Sequence, residues 1–374
     1  MKAKQVRLAS LVSYKILPAI LGGQKGIALF NKYIARHVPF AIITTRDNDP
    51  ALAEGYDVIP IWPNSPIRYI NPFAFFTIRK IIRERQLTHI LLDHPYFGWM
   101  GILLKWFTGV RLAVRSHNIE GLRWKSLGKW WWKILWHYEK YVHQQAHYNF
   151  FIQDADRAYA IKHFKLQPQR CATITFGIEW QTPPTASEKQ AARNRLQTQH
   201  NIPADHTIIL FNGDFRYGPN LTGLERIVNE IYPALQQSNQ LKFTILLCGK
   251  GIPTTISEQQ LPNVVFAGFV DDISVYLRGA DIFLNPITEG GGIKTKLVEA
   301  LGHNMNAVST THGAIGIEEA ICNGKLQITD DMVNGFAEKV ALLAHYNKNT
   351  PPAFFDHFYW DSIAQKAARF MEQA

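Results

Sequence analysis

The chain alternates short β-branched and aromatic runs with stretches of helical period, and it does so twice. Runs of this kind fall at 7–14, 40–45, 56–61, 89–94, 112–117, 149–153 and 171–176, with amphipathic segments between them. A polar, proline-containing stretch, EWQTPPTASEKQ at 179–190, interrupts the pattern. The alternation then resumes at 207–213, 242–249, 263–269, 281–286, 306–311 and 326–330. Strands that alternate with helices are joined by crossovers, which pair them in parallel and cover both faces of the sheet. The expected fold is therefore α/β, with two Rossmann-like doubly wound domains facing across a cleft. The first domain covers 1–180 and the second 181–355, and a closing helix over 360–374 packs back on the first. Open sheets of this type bind ligands beyond the carboxyl ends of their strands, so a pair of them suits an enzyme with two substrates. At 374 residues the chain has room for two cores of ordinary size.

The formal net charge of +10 is unevenly spread. Residues 1–180 hold 25 Lys and Arg against 11 Asp and Glu, and the remainder holds 15 against 19. The basic first half favours a polyanionic partner, whether nucleic acid, anionic lipid or a phosphorylated acceptor. Nucleic acid fits least, because that half lacks an aromatic and glycine-rich recognition motif. No apolar run reaches the roughly 18–20 residues that a bilayer demands. The start, MKAKQVRLASLVSYKILPAI, reads as a first strand and not a signal peptide, since Lys15 interrupts its apolar run and no small-residue cleavage pattern follows. Cys171, Cys248 and Cys322 are widely separated and form neither a disulfide framework nor a metal-ligand cluster, which fits a reducing cytoplasm. His-Glu-x-x-His, Cys-x-x-Cys pairs, Gly-x-Ser-x-Gly and a P-loop are all absent, so zinc and simple serine-hydrolase chemistry have no support.

The densest chemistry lies in DIFLNPITEGGGIKTKLVEALGHNMNAVSTTHGAIG, residues 281–316. A strand pattern ends at Asn285-Pro286, Gly290, Gly291 and Gly292 follow, and a helix pattern opens near Ile293. Glycines let backbone amides approach an anion, and the helix start adds the positive end of its dipole. Lys294 and Lys296 bring two ammonium groups to the same place, and together these features describe a pyrophosphate site. Glu299, three residues beyond Lys296, is placed to accept hydrogen bonds from a pair of sugar hydroxyls.

With Pro286, Gly290, Gly292, Lys294, Lys296, Glu299, Ala300, Thr310, Gly313 and Gly316 in that order, the chain resembles the retaining glycosyltransferases of family 4, group 1 enzymes of the two-Rossmann GT-B class. Gly22-Gly23, His117-Asn118-Ile119-Glu120, Phe176-Gly177-Ile178-Glu179, and Gly213 with Pro219-Asn220 extend the resemblance over nearly the whole chain. It implies an enzyme of hexosyltransferase type that moves a sugar with retention, without a metal or cofactor. The donor is a nucleotide-diphosphate sugar, and the acceptor a saccharide or lipid-linked saccharide in bacterial envelope or polysaccharide assembly. The resemblance gives Glu299 the ribose hydroxyls, and gives the diphosphate to Gly290, Gly291, Gly292 and Ile293 with Lys294 and Lys296. Gly268, Phe269 and Val270 meet the base edge, while Gly213 approaches the phosphates from one side and Gly22 and Gly23 from the first domain. His117 falls near the transferred sugar, and Asp93 and His94 point toward the acceptor.

Two positions depart from the family pattern. Many members carry two glutamates separated by seven residues, and the first of these is Gly291 here, with Glu289 two residues off register. The family's Gly-Arg is Gly213-Asp214, with Arg216 three residues on. Arg216, Lys294 and Lys296 are expected to neutralise the leaving diphosphate together. Two other readings stay open: hydrolysis or epimerisation of a nucleotide-sugar, and a catalytically weakened nucleotide-sugar-binding protein.

The stretch LRWKSLGKWWWKILWHYEK, 122–140, holds half of the ten tryptophans. On a single helix at about 100° per residue, Leu127, Trp130, Trp131, Ile134, Leu135, Tyr138 and Val142 form a core stripe. Trp132 and Trp136 fall opposite, among Lys125, Lys129, Lys133 and Lys140. Indole beside ammonium is the composition of a helix lying on an anionic membrane, and Trp106 and Phe107 extend the patch. The expectation is a cytoplasmic protein, peripheral on the inner membrane face; the plainer reading has these rings stacked on lysine stems or covering a neighbouring helix.

Overall fold

The computed structural model describes residues 5–19, 22–239 and 241–373, so the basic start at 1–4 lies outside the described residues. The chain divides into two compact units, Met1–Glu179 with Phe358–Ala374, and Trp180–His357. In the first unit the strands are β1 (Leu8–Val12), β2 (Phe40–Thr45), β3 (Asp57–Trp62), β4 (His89–Asp93), β5 (Arg111–Ser116), β6 (Tyr148–Phe151) and β7 (Cys171–Thr173). In the second they are β8 (Thr207–Asp214), β9 (Phe243–Lys250), β10 (Val264–Gly268), β11 (Ile282–Asn285), β12 (Asn306–Ser309) and β13 (Leu326–Ile328). Each falls on a run expected from the sequence.

The first sheet runs β3-β2-β1-β4-β5-β6-β7 and the second β10-β9-β8-β11-β12-β13. The paired strands are parallel. In both sheets the order reverses once, between β1 and β4 and between β8 and β11. Crossovers leave to opposite faces at such a point, so the loops beyond the two strands part and form a crevice. The register sets what stands there: Val12 is opposite Asp93, and Asp93 is opposite Arg115.

Both sheets are covered on two faces, so their strands are apolar along their length. In the first unit Ile90, Leu92, Leu112 and Val114 pack against Ile78 and Ile82 of helix Ala74–Glu84 and Met100 and Leu104 of helix Gly98–Thr108. In the second, Ile209, Phe211, Ile245 and Leu284 pack with Leu224, Ile231, Phe336 and Val340. The helix Trp360–Glu372 belongs to the first unit, where Trp360 is fully buried and the carbonyl of Met371 accepts a bond from Tyr148 Oη at 2.8 Å. Among the described residues, no helix is long and apolar enough to cross a membrane.

The tryptophan-rich stretch departs from expectation. It forms two helices, Glu120–Ser126 and Trp132–Gln145, with Gly128 at φ +68° turning the chain between them. That turn resets the helical phase, so a wheel drawn through it assigns the wrong faces. Leu127, Trp130 and Ile134, expected in the core, are exposed, Trp130 at 83%. Trp136, expected to face lipid, packs on the cluster of Ile119, Phe151 and Phe164, and its Nε1 donates to Tyr159 Oη at 3.1 Å. Trp132 is half-buried, with Lys125 and Lys133 at 4.9 and 5.8 Å from its ring. Trp106 and Phe107 are exposed as expected.

Candidate functional site

In the second unit, the crevice between β8 and β11 is where the glycine loop emerges. Asn285, the last residue of β11, is buried, and its Nδ2 donates to Ser309 Oγ at 2.9 Å and to the Gly313 carbonyl at 3.0 Å. Thr310 Oγ1 donates to the Ile287 carbonyl. These bonds fix the exit of the loop against the end of β12. Gly290 and Gly292 then adopt φ of +83° and +72°, a conformation that a side chain resists.

Lys294 curls back on this loop, donating to the carbonyls of Gly290 at 2.8 Å and Gly292 at 3.0 Å. A trans peptide points its N–H opposite to its C=O. The amides of Gly291 and Ile293 are therefore turned to the side away from the ammonium. Lys294 thus braces the loop from behind. His312 Nε2 lies 2.8 Å from the Gly290 carbonyl and supports the same turn.

Lys296 reaches across the crevice, donating to the Asn212 carbonyl at 2.7 Å and Asn220 Oδ1 at 2.8 Å. A Cβ added at Gly213 would lie 2.9 Å from Lys296 Nζ, so Gly213 and Lys296 do come together. Burial pushes both lysines down to about 8; for Lys296 the nearby Glu299 carboxylate opposes that shift and Lys294 adds to it.

Arg216 is exposed and its guanidinium is answered in place by Asp214, with Nε to Oδ1 at 2.8 Å and Nη2 to Oδ2 at 2.5 Å. Its charge is already matched by that carboxylate. Glu289 accepts from Thr222 Oγ1 at 3.3 Å, on helix Gly218–Arg226. Gly268 ends β10 at φ +64°, followed by exposed Phe269, over which Lys250 stands at 4.2 Å, and by half-buried Val270.

In the first unit the crevice between β1 and β4 holds a dense polar cluster. Asp93 is 2% exposed, so it stands beneath the site instead of touching an acceptor, as the sequence led us to expect. It accepts from Ser10 Oγ at 2.7 Å and pairs with Arg115 at 3.3 Å, and its Oδ1 is 3.7 Å from His117 Nε2. Burial by itself would raise the Asp93 carboxyl, but His117 and the Arg115 guanidinium hold it below its usual range. Burial pushes His117 down to about 3, with His94 adding to the shift, so its imidazole is neutral.

His94 is also buried, stacked on His117 with ring centroids 4.4 Å apart. Its Nε2 is 3.2 Å from Tyr14 Oη and its Nδ1 3.3 Å from Glu120. Glu120 accepts from Tyr96 Oη at 2.7 Å. Glu139, on the Trp132–Gln145 helix, accepts the backbone N–H groups of Glu120 and Gly121 at 3.0 and 2.9 Å, and so anchors the start of the preceding helix, Glu120–Ser126. Gly22 and Gly23 open helix Gly22–Ile34 after β1 and are exposed.

Tyr14, Arg115, Glu139 and His312 were not singled out from the sequence. Arg115 had a signal, since a charge inside the apolar run LAVRSH must be paired to be buried. The other three had none, because their partners are far away in the chain. No group of three or more His, Cys, Asp or Glu is placed to hold a metal ion among the described residues.

The comparisons agree with this architecture. A family model described as Glycosyl transferases group 1 matches residues 206–345, and one described as Glycosyltransferase Family 4 matches residues 24–180. The chain is 29% identical over 116 residues to an "Uncharacterized 44.6 kDa protein in cps region" of Klebsiella pneumoniae, a match spanning 29% of this chain and only 30% of that relative's length. Anabaena HepE in complex with UDP is similar in fold, with a TM-score of 0.72 and 15% identity over 99% of this chain and 100% of that one. WaaG, a glycosyltransferase involved in lipopolysaccharide biosynthesis, is similar at a TM-score of 0.60 and 14% identity, over 98% and 100% of the two chains. With a family model on each unit and two doubly wound sheets of GT-B type, the chain belongs to the group 1, family 4-like glycosyltransferases.

Proposed function

We propose that this protein transfers a sugar, with retention, from a nucleotide-diphosphate sugar to a saccharide or lipid-linked saccharide acceptor in envelope or polysaccharide assembly. The observation that carries the reading is the crevice of the second unit. There a glycine loop, braced from behind by Lys294, turns two backbone amides outward, and the buried Lys296 ammonium stands at its base. As the glycosidic bond breaks, negative charge builds on the diphosphate, and preorganised amides and ammonium groups stabilise it without rearranging. The charge is thereby met by side chains and needs no metal. Glu299 holds the ribose hydroxyls, and Gly268, Phe269 and Val270 border the base. That HepE was seen with UDP, and that WaaG serves lipopolysaccharide synthesis, support this choice of donor and setting.

The acceptor belongs to the cluster of the first unit. Neutral His117 is able to accept or share a hydrogen bond with a sugar hydroxyl, and Asp93 and Arg115 hold its ring from below. The membrane surface also lies with this unit. Leu127, Trp130 and Ile134 stand exposed next to Lys125, Lys129 and Lys133, a composition that binds anionic headgroups at about 1 kcal/mol per basic residue.

A titration with UDP and GDP tests the donor assignment. Native chain should bind one of them, and Lys294→Ala with Lys296→Ala should abolish it; a native chain that binds neither ends the reading. A weakened binding protein is favoured by one observation, that Gly291 replaces a glutamate and Glu289 is engaged with Thr222. Tight binding with no transfer to any acceptor would select it, and release of free sugar would select hydrolysis.

A further inference from the structure

A separate cavity of about 750 Å³ opens at the other end of the second unit's sheet. Its walls include Asp205 and His206, which lead into β8, Asp281, which leads into β11, and Asn304, which leads into β12. The glycine loop leaves the opposite end of β11. Lys296, at the base of that loop, meets Asn212, six residues along β8 from His206, so the two sites are about 20 Å apart.

Five cationic side chains line the cavity, Lys189, Arg193, Arg278, Lys325 and Lys348, against two carboxylates. Both carboxylates are engaged. Asp281 accepts from Arg193 at 2.6 Å and from the Ile208 N–H at 2.7 Å, and Asp205 pairs with Lys242 at 2.7 Å. Among the described residues, Lys189 and Lys325 have no carboxylate at ion-pair distance. Lys325 is 2% exposed and donates to Asn306 Oδ1 at 3.0 Å and the Lys348 carbonyl at 2.9 Å. Lys189 meets the Asn304 carbonyl at 3.4 Å. An ammonium has three protons to donate, so both keep donors for a further partner.

Such groups are costly to bury charged. Burial pushes Lys325 down to about 7, with Lys189 adding to the shift, and burial also lowers Lys189. The start of the 15-residue helix Ala186–His200 faces the same space and adds a positive dipole end. The Glu188 carboxylate there is turned back on Thr185 Oγ1 at 2.8 Å.

We infer that this cavity binds a phosphorylated small molecule, its phosphoryl group seated between Lys189 and Lys325 and its organic part in the remaining volume. The space is within the range of small-ligand sites and larger than a lone phosphate fills. At its distance from the glycine loop the ligand is not the sugar donor. The inference stands on its own residues and does not depend on the donor assignment.

The test uses the full chain, native and with Lys294→Ala and Lys296→Ala to blank the glycine loop. Inorganic phosphate, pyrophosphate and glucose 6-phosphate are titrated against chloride at matched ionic strength while Tm is followed. At least one probe should raise Tm in both chains, because a ligand of the native form stabilises it. Lys189→Gln should weaken that binding about tenfold or more, the loss of one charge-assisted bond. Lys325→Met should do the same if it folds, and Lys189→Gln, being half-buried, carries the test if it does not. No rise with any probe, or a rise undiminished in Lys189→Gln, overturns the inference. A separate UDP titration of the native and Lys294→Ala/Lys296→Ala chains reports on the donor site independently.

Discussion

Lys296 Nζ lies 2.8 Å from Asn220 Oδ1, a bond that ties the helix after the glycine loop to the helix after β8. The same ammonium donates to the Asn212 carbonyl, so Lys296 also ties its helix to β8 across the crevice. Lys296→Met should lower kcat/KM about 10²- to 10³-fold, as removal of one preorganised donor does. Stability should fall by only about 1–3 kcal/mol, from the partners left unsatisfied. Steady-state kinetics beside a urea melt measures both, and unchanged turnover would refute the assignment.

The two lysines give opposite pH signatures for stability and for binding. With values near 8 in the native chain and about 10.4 when unfolded, they lose protons on the native side first. The empty protein therefore gains stability from this pair as pH rises from about 8 to 10, and lacks that gain below pH 8. A diphosphate needs the charged forms, so UDP affinity should fall over the same window, by up to about tenfold per pH unit for each lysine. Calorimetric titration showing flat affinity to pH 9.5 would rule out the lysines as its counter-charges.

Gly290 has φ +83°, and a Cβ there would lie 3.0 Å from Tyr217 Oη. Gly290→Ala should cost about 1–2 kcal/mol in backbone strain and weaken nucleotide binding by reshaping the amides. Gly218, which has open space around it, offers the control, since Gly218→Ala should stay within about 0.5 kcal/mol. Equal effects from the two would mean that the loop's conformation does not matter.

Asp93 and Arg115 are a buried pair, and the chain depends on both. Asp93→Asn leaves the guanidinium without its counter-charge and should destabilise the first unit by about 3–5 kcal/mol. His117→Asn removes the group above the pair, and should reduce turnover while sparing most of the stability. Denaturation midpoints that rank the two variants the other way would assign His117 a structural role.

Trp130 and Trp136 separate surface from core. Trp130→Ala should change stability by less than about 0.5 kcal/mol and lower binding to anionic vesicles. Trp136→Ala opens a void beside Phe164 and should cost about 3 kcal/mol without a direct effect on lipid. A native chain that ignores such vesicles in a sedimentation assay would remove the membrane from the proposal.

Much of this was legible beforehand, and the failures share one cause. Strands such as FAIITT and HILLDH declare themselves because burial on both faces demands continuous apolar residues. The glycine loop declares itself because positive φ after a strand and before a helix needs glycine. By contrast, the wheel through 122–142 failed at Gly128, where a single turn broke the phase it assumed. Arg216 looked free to meet a phosphate until Asp214, two residues away, was found holding its guanidinium.

The order of apolar and polar residues along the chain determined that there would be two parallel sheets, where each strand would lie, and which loop would carry glycines and lysines. These are matters of local period and backbone preference, which neighbouring residues express by themselves. Only the tertiary structure decided that Lys294 would brace its own loop, that Lys296 would find Asn212 and Asn220, and that Asp93 would sink beneath His117 onto Arg115. Lys296 and its partners lie 76 and 84 residues apart, and Asp93 and Arg115 meet through strand register. Contacts of that kind exist only once the sheet is assembled, because strand pairing, and not sequence spacing, sets which side chains share a crevice.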